Sequence, residues 1–124
     1  TFVNFELFHN EHLLLLERAT KLGDELFVGV SSDALNFSKK ARYPIYSEIE
    51  RMAIVKALKC VTETFIEESL ELKREYLLKY NADILIMGDD WKGKFDEFKD
   101  IIEVVYLPRT PSISTTMLIE KIQV

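Results

Sequence analysis

A single cysteine, Cys60, is the whole of this sequence's thiol chemistry. It cannot close an internal disulfide and cannot build a cysteine-ligated metal site, so a reducing, cytoplasmic setting is the simplest reading. Long apolar runs are missing as well. No stretch approaches the ~20 residues that cross a bilayer, and no secretory signal pattern is visible, so no membrane role is expected. Cations are in the minority: 16 Lys and Arg stand against 21 Asp and Glu, for a net charge of -5. That balance speaks against general nucleic-acid binding, which draws on a cationic surface. It leaves a small nucleotide open, because local charge decides that. Repeats and low-complexity tracts are absent, and the chain begins at Thr1 rather than at methionine. What remains is 124 residues, 48% of them hydrophobic, which suits one compact domain over 1–124 with its own core.

Apolar patterning alternates between strand and helix. Residues Glu25 to Ser31, Ala82 to Gly88 and Ile102 to Leu107 are short apolar, β-branched runs of the kind buried in parallel sheets. Cys60 to Ile66 is a weaker strand. Helical spacing marks Asn10 to Leu22, Ser47 to Lys59, Leu70 to Tyr80 and Ser114 to Ile122. Ser47 and Glu50 have the spacing of a capping box, in which each side chain meets the other's backbone N–H. Asn36 to Tyr46 reads as one long basic connection carrying Lys39, Lys40 and Arg42. This alternation predicts a doubly wound, Rossmann-like parallel sheet of five strands with helices on both faces. Ligands of such sheets sit beyond the carboxyl ends of the strands. Only Thr1 to Val3 are left for the first strand. That is short for a central strand, so a truncated first strand and an upstream segment are expected.

Five short motifs fall at those carboxyl ends and helix starts. They are His9-Asn-Glu-His12, Glu50-Arg51, Met87-Gly-Asp-Asp-Trp-Lys-Gly-Lys-Phe95, Tyr106-Leu-Pro-Arg-Thr110 and Ile113-Ser-Thr-Thr116. In this order they resemble the bacterial glycerol-3-phosphate cytidylyltransferases of the nucleotidyltransferase superfamily, with choline-phosphate and ethanolamine-phosphate cytidylyltransferases as relatives. The resemblance spans essentially the whole chain. It implies in-line attack of a substrate phosphate on the α-phosphate of CTP, with release of pyrophosphate and with Mg2+ accompanying the nucleotide. Such a reaction needs positioning and charge stabilisation more than covalent help. By resemblance His9 and His12 act at the transition state. Ser114 and Thr115 hold the β- and γ-phosphates at a helix start, where free N–H groups and the dipole attract anions. Lys39 or Lys40 adds a cation. Arg51, Arg109 and Thr110 match phosphate-contacting positions, and Asp89, Asp90 and Trp91 match the nucleotide- and substrate-binding loop.

The opening motif departs from the family pattern, roughly Gly-Thr-Phe-Asp-Leu-x-His-x-Gly-His. Val3 stands for a glycine, Asn4 for the threonine, Glu6 for the aspartate and Glu11 for the second glycine. Glu11 is the severe change. A negative charge ~5 Å from a phosphate costs ~3 kcal/mol at an effective dielectric of ~20, roughly a hundredfold in affinity. Impaired or lost activity is therefore expected.

Other readings stay open. Leu13 to Leu16 put leucine on every side of the first helix, and Ile49 and Met52 form a second apolar face on the Ser47 helix. With Phe8, Asn10, Glu11, Leu13, Leu14 and Met117 they form a candidate surface for a protein partner, on a scaffold repurposed by nature or by engineering. The same leucines suit a homodimer interface. A metal site from Glu6, His9, Glu11 and His12 matches no recognised ligand spacing, so no metal site is expected.

Overall fold

A computed structural model of the chain describes residues 1–4, 10–40 and 46–108. Within them run β1 (Phe2–Val3), α1 (Asn10–Thr20), β2 (Phe27–Ser31), α2 (Asp33–Lys40), α3 (Glu48–Lys56), β3 (Glu63–Glu67), α4 (Lys73–Lys79), β4 (Ile84–Gly88) and β5 (Glu103–Leu107). Short 3-10 helices at Leu70–Leu72, Asp89–Trp91 and Asp96–Asp100 fill three connections.

Every strand pairing is parallel, as the apolar runs predicted. The described residues do not form a single five-stranded sheet. The strands make two hydrogen-bonded ladders, β1-β2-β3 and β4-β5. Among the described residues β1 is two residues long and pairs with Gly29 and Val30 of β2. β4 nevertheless abuts β1, because Thr1 Oγ1 lies 3.7 Å from Met87 Sδ and Phe2 shares a core cluster with Leu85 and Met87.

Strand periodicity explains the layering. Along β4, Ile84 and Ile86 pack with Leu16 and Ala19 of α1 and Val55 of α3. The alternate residues Leu85 and Met87 pack with Leu77 of α4 and with Phe98 and Ile102. Successive side chains of a strand point to opposite faces, so α1 and α3 cover one face and α4 the other. Gly29 lets the aromatics close over β2. A Cβ there would lie 2.8 Å from the rings of both Phe2 and Phe65.

Half of the capping box at α3 forms: Glu50 N donates to Ser47 Oγ at 3.3 Å, whereas the Glu50 carboxylate accepts from the Ser47 hydroxyl at 3.0 Å in place of its backbone N–H. The long connection from Asn36 needs correction, since Asn36 to Lys40 are helical. Ser32 caps α2 by accepting from Leu35 N at 3.0 Å, and Glu48 of α3 accepts from Asp33 N at 3.1 Å. Those two acceptors satisfy N–H groups that a helix start otherwise leaves open.

Candidate active site

β1, β2 and β3 run parallel, with their carboxyl ends at Val3, Ser31 and Glu67, and β4, parallel to β5, ends at Gly88. The segments leaving those ends carry most of the predicted site residues. α1 follows β1 and holds Glu11 and His12 in its opening turns. Glu11 is only 9% exposed, and His12 is half-buried. A carboxylate in the first turn of a helix is favoured by the dipole and by unpaired N–H groups. Those are the same features that would attract a phosphate.

Arg51 is engaged by the protein itself. It is 1% exposed. Its guanidinium donates to Asp33 Oδ1 at 2.8 Å, to the Asn4 carbonyl at 2.7 Å and to the Tyr46 carbonyl at 3.0 Å. The fork therefore braces β1, α2 and the chain entering α3, with those donors engaged inside the protein. Asn36 Nδ2 and Oδ1, and Asn4 Oδ1, are buried and have no hydrogen-bond partner among the described residues.

A second buried polar chain crosses the carboxyl ends. Ser31 Oγ donates to the Val3 carbonyl at 3.3 Å and approaches Glu67 Oε1 at 3.5 Å. Glu67 Oε2 accepts a short hydrogen bond from Lys73 Nζ. Burial pushes the Lys73 ammonium below the usual lysine range, while the hydrogen bond to Glu67 pulls it back up. Its Nζ also lies 4.2 Å from the centroid of Phe2 and 5.6 Å from that of Phe95.

The loop after β4 is open to solvent. Asp89, Asp90 and Trp91 are all exposed. Gly88 enters the loop with extended backbone, and the Asp90 carboxylate folds back over its Cα. Trp91 packs at a tilt of 39° against Phe95, with ring centroids 5.6 Å apart. The Phe95 N–H donates to Tyr106 Oη at 3.0 Å, and that hydroxyl donates to Asp96 Oδ1 at 2.9 Å. At the end of β5, Arg18 of α1 donates to the Pro108 carbonyl at 2.7 Å. This ties α1 to the residue just before Arg109.

His9, Phe8, Glu6, Arg109, Thr110, Ser114, Thr115 and Met117 lie outside the described residues. Asn10 opens α1, and Lys39 and Lys40 close α2. So the structure brings Glu11, His12, Arg51 and the Asp89–Trp91 loop to the carboxyl side of the strands. It adds Asp33, Asn36, Glu67 and Lys73, which the motifs did not flag. Of the apolar docking set, Ile49 is 73% exposed, while Leu13, Leu14 and Met52 are half-buried. Val3 packs its side chain against the Leu16 core cluster, so the interior accommodates that bulk. Among the described residues no group of three or more His, Cys, Asp or Glu side chains is placed to hold a metal. None of their helices is long and apolar enough to cross a membrane.

A cavity of about 620 Å3 lies elsewhere, at the amino ends of β2 and β4. It is walled by Leu26, Phe27, Tyr80 and Ile84. The chemistry-bearing residues are at the opposite strand ends, so this cavity is not the site.

Comparison with known proteins identifies the family. Residues 3–121 match the family described as cytidylyltransferase-like. The glycerol-3-phosphate cytidylyltransferase of Bacillus subtilis (strain 168) is 44% identical over 122 residues, 98% of this chain and 94% of that protein. The one from Staphylococcus aureus is 36% identical over 118 residues, 95% of this chain and 89% of that protein. An FAD synthase of Thermococcus sibiricus is 32% identical over 128 residues, 95% of this chain and 86% of that protein. The crystal structure of the lipopolysaccharide core biosynthesis protein from Thermoplasma volcanium superposes with a TM-score of 0.74 at 25% identity, covering 90% of this chain and 94% of that one. A match over nearly every residue, on a parallel α/β frame with its polar residues at the carboxyl ends, makes this chain a member of the cytidylyltransferase-like family.

Proposed function

We propose that the chain transfers CMP from CTP to an alcohol phosphate, glycerol 3-phosphate first among them, and releases pyrophosphate. The observation that carries this reading is the 44% identity to a glycerol-3-phosphate cytidylyltransferase over 98% of the chain. In this reading His9 and His12 stabilise charge on the α-phosphate as the acceptor oxygen attacks and pyrophosphate leaves. Ser114, Thr115, Arg109 and Thr110 hold the leaving phosphates, and a lysine from the end of α2 adds positive charge. Asp89, Asp90 and Trp91 line the nucleotide and acceptor. Arg51 acts through Asn4 and Asp33, by fixing the chain that leads into the histidine motif. Magnesium suits this donor set. It keeps several waters and binds largely through substrate phosphates, so the exposed Asp89 and Asp90 are sufficient company for it. When bound it supplies charge neutralisation on the phosphates.

The same reading makes the enzyme a weakened one. The Glu11 carboxylate occupies the start of α1, where polyanion and carboxylate compete for one positive end. The test is pyrophosphate release from CTP, magnesium and glycerol 3-phosphate. The expected result is turnover below the usual enzymatic range of about 1–10³ per second, rising when glycine replaces Glu11. No release from either protein with any alcohol phosphate would sink the proposal.

A further inference from the structure

We infer that Lys73, held by Glu67, is a positioning residue for the Asp89–Phe95 loop, and that substrate docking on that loop depends on it. The inference rests on the cytidylyltransferase reading for its kinetic consequence, though not for its geometry. The Lys73 ammonium touches both halves of the molecule. On one side it bonds Glu67 at the end of β3, which Ser31 of β2 approaches at 3.5 Å, and it lies over the Phe2 ring of β1. On the other side it lies over Phe95, which closes the loop after β4. The two ladders share no strand pairing among the described residues, so this cation is a polar link between them.

Stability alone does not account for the pair. A buried ion pair can usually be replaced by apolar side chains of similar volume without loss, because removing two charges from water offsets their attraction. The pair does set the position of Phe95. That ring is held from the β5 side through its backbone N–H on Tyr106 and from the β3 side by Lys73. Trp91, 41% exposed, leans on the same ring. Moving Phe95 therefore moves Trp91, the side chain that the proposed function sets against the ligand.

The variant Glu67→Gln with Lys73→Met removes both charges together and leaves neither buried alone. Trp91 is the only tryptophan in the chain, so its emission reports on this loop without interference. The expected result is a folded protein whose Trp91 emission shifts and is quenched more readily by iodide. KM for CTP or the alcohol phosphate should rise about fivefold, the size of one lost cation–π contact, with kcat nearly unchanged. Lys73→Arg, which keeps the cation, should restore wild-type values. If the double variant does not fold, Phe95→Leu removes the ring, leaves the ion pair, and should give the same two shifts. A folded variant with unchanged Trp91 emission and unchanged KM values overturns the inference. If wild-type protein transfers no cytidylyl group, the functional reading falls, and the Trp91 measurement still decides the positioning role.

Discussion

A carboxylate buried in the first turn of α1 and a guanidinium buried on α3 carry the strongest consequences for single residues. Glu11 puts negative charge at the helix end that faces the strand termini. Replacing it with glycine should tighten CTP binding by about 3 kcal/mol, roughly a hundredfold, measured calorimetrically with magnesium present. Unchanged affinity would show that the charge at residue 11 is not what limits the nucleotide. Arg51 bonds one carboxylate and two carbonyl oxygens from an almost fully buried position. Arg51→Ala leaves those acceptors unpaired and should cost about 3 kcal/mol in a urea melt. The sequence shows an arginine beside a glutamate in a motif. It does not show that the partners would be Asp33 and two distant carbonyls, because those contacts exist only once β1, α2 and α3 converge.

Single elements show where local pattern was enough and where it was not. β2, β4 and β5 were legible because continuous apolar runs need burial on both faces. α3 was legible because Ser47 and Glu50 announce its start. α2 was hidden because its eight residues end in two lysines and read as a basic loop. Its start depends on Ser32 and on Glu48 from the next helix. Ser32→Ala should therefore lower stability by about 1 kcal/mol, read from thermal unfolding. The Glu67–Lys73 pair was hidden too, since charged residues on a strand end and a helix start look solvated until the fold covers them. At the end of α4, Asn81 takes a positive φ of 50°. Asn81→Gly should hold or raise the melting temperature, whereas Asn81→Ala should lower it, by about 1 kcal/mol.

For the whole molecule, acid is the informative perturbation. The Arg74 hydrogen bond holds the Asp100 carboxyl below its ordinary value of 3.8. The folded state then binds protons less readily than the unfolded chain. This stability is present above pH 3.8 and is lost as the pH falls through the lower folded value. Melting temperatures should drop more steeply below pH 3.8 in wild-type protein than in Asp100→Asn. Both partners are well exposed, so the difference should shrink in high salt. Equal slopes for the two proteins would remove this pair from the account.

The ladder that stops at β1 and restarts at β4 leaves the floor of the ligand crevice as a joint rather than a continuous plate. Hydrogen bonds stiffen each half internally, and among the described residues side-chain contacts, with no strand pairing, span the joint. The halves should then breathe separately. Native-state hydrogen exchange should resolve one opening free energy for the amides of Val28 and Val30 and another for those of Leu85 and Met87. A nucleotide clasped across the joint should draw the two values together.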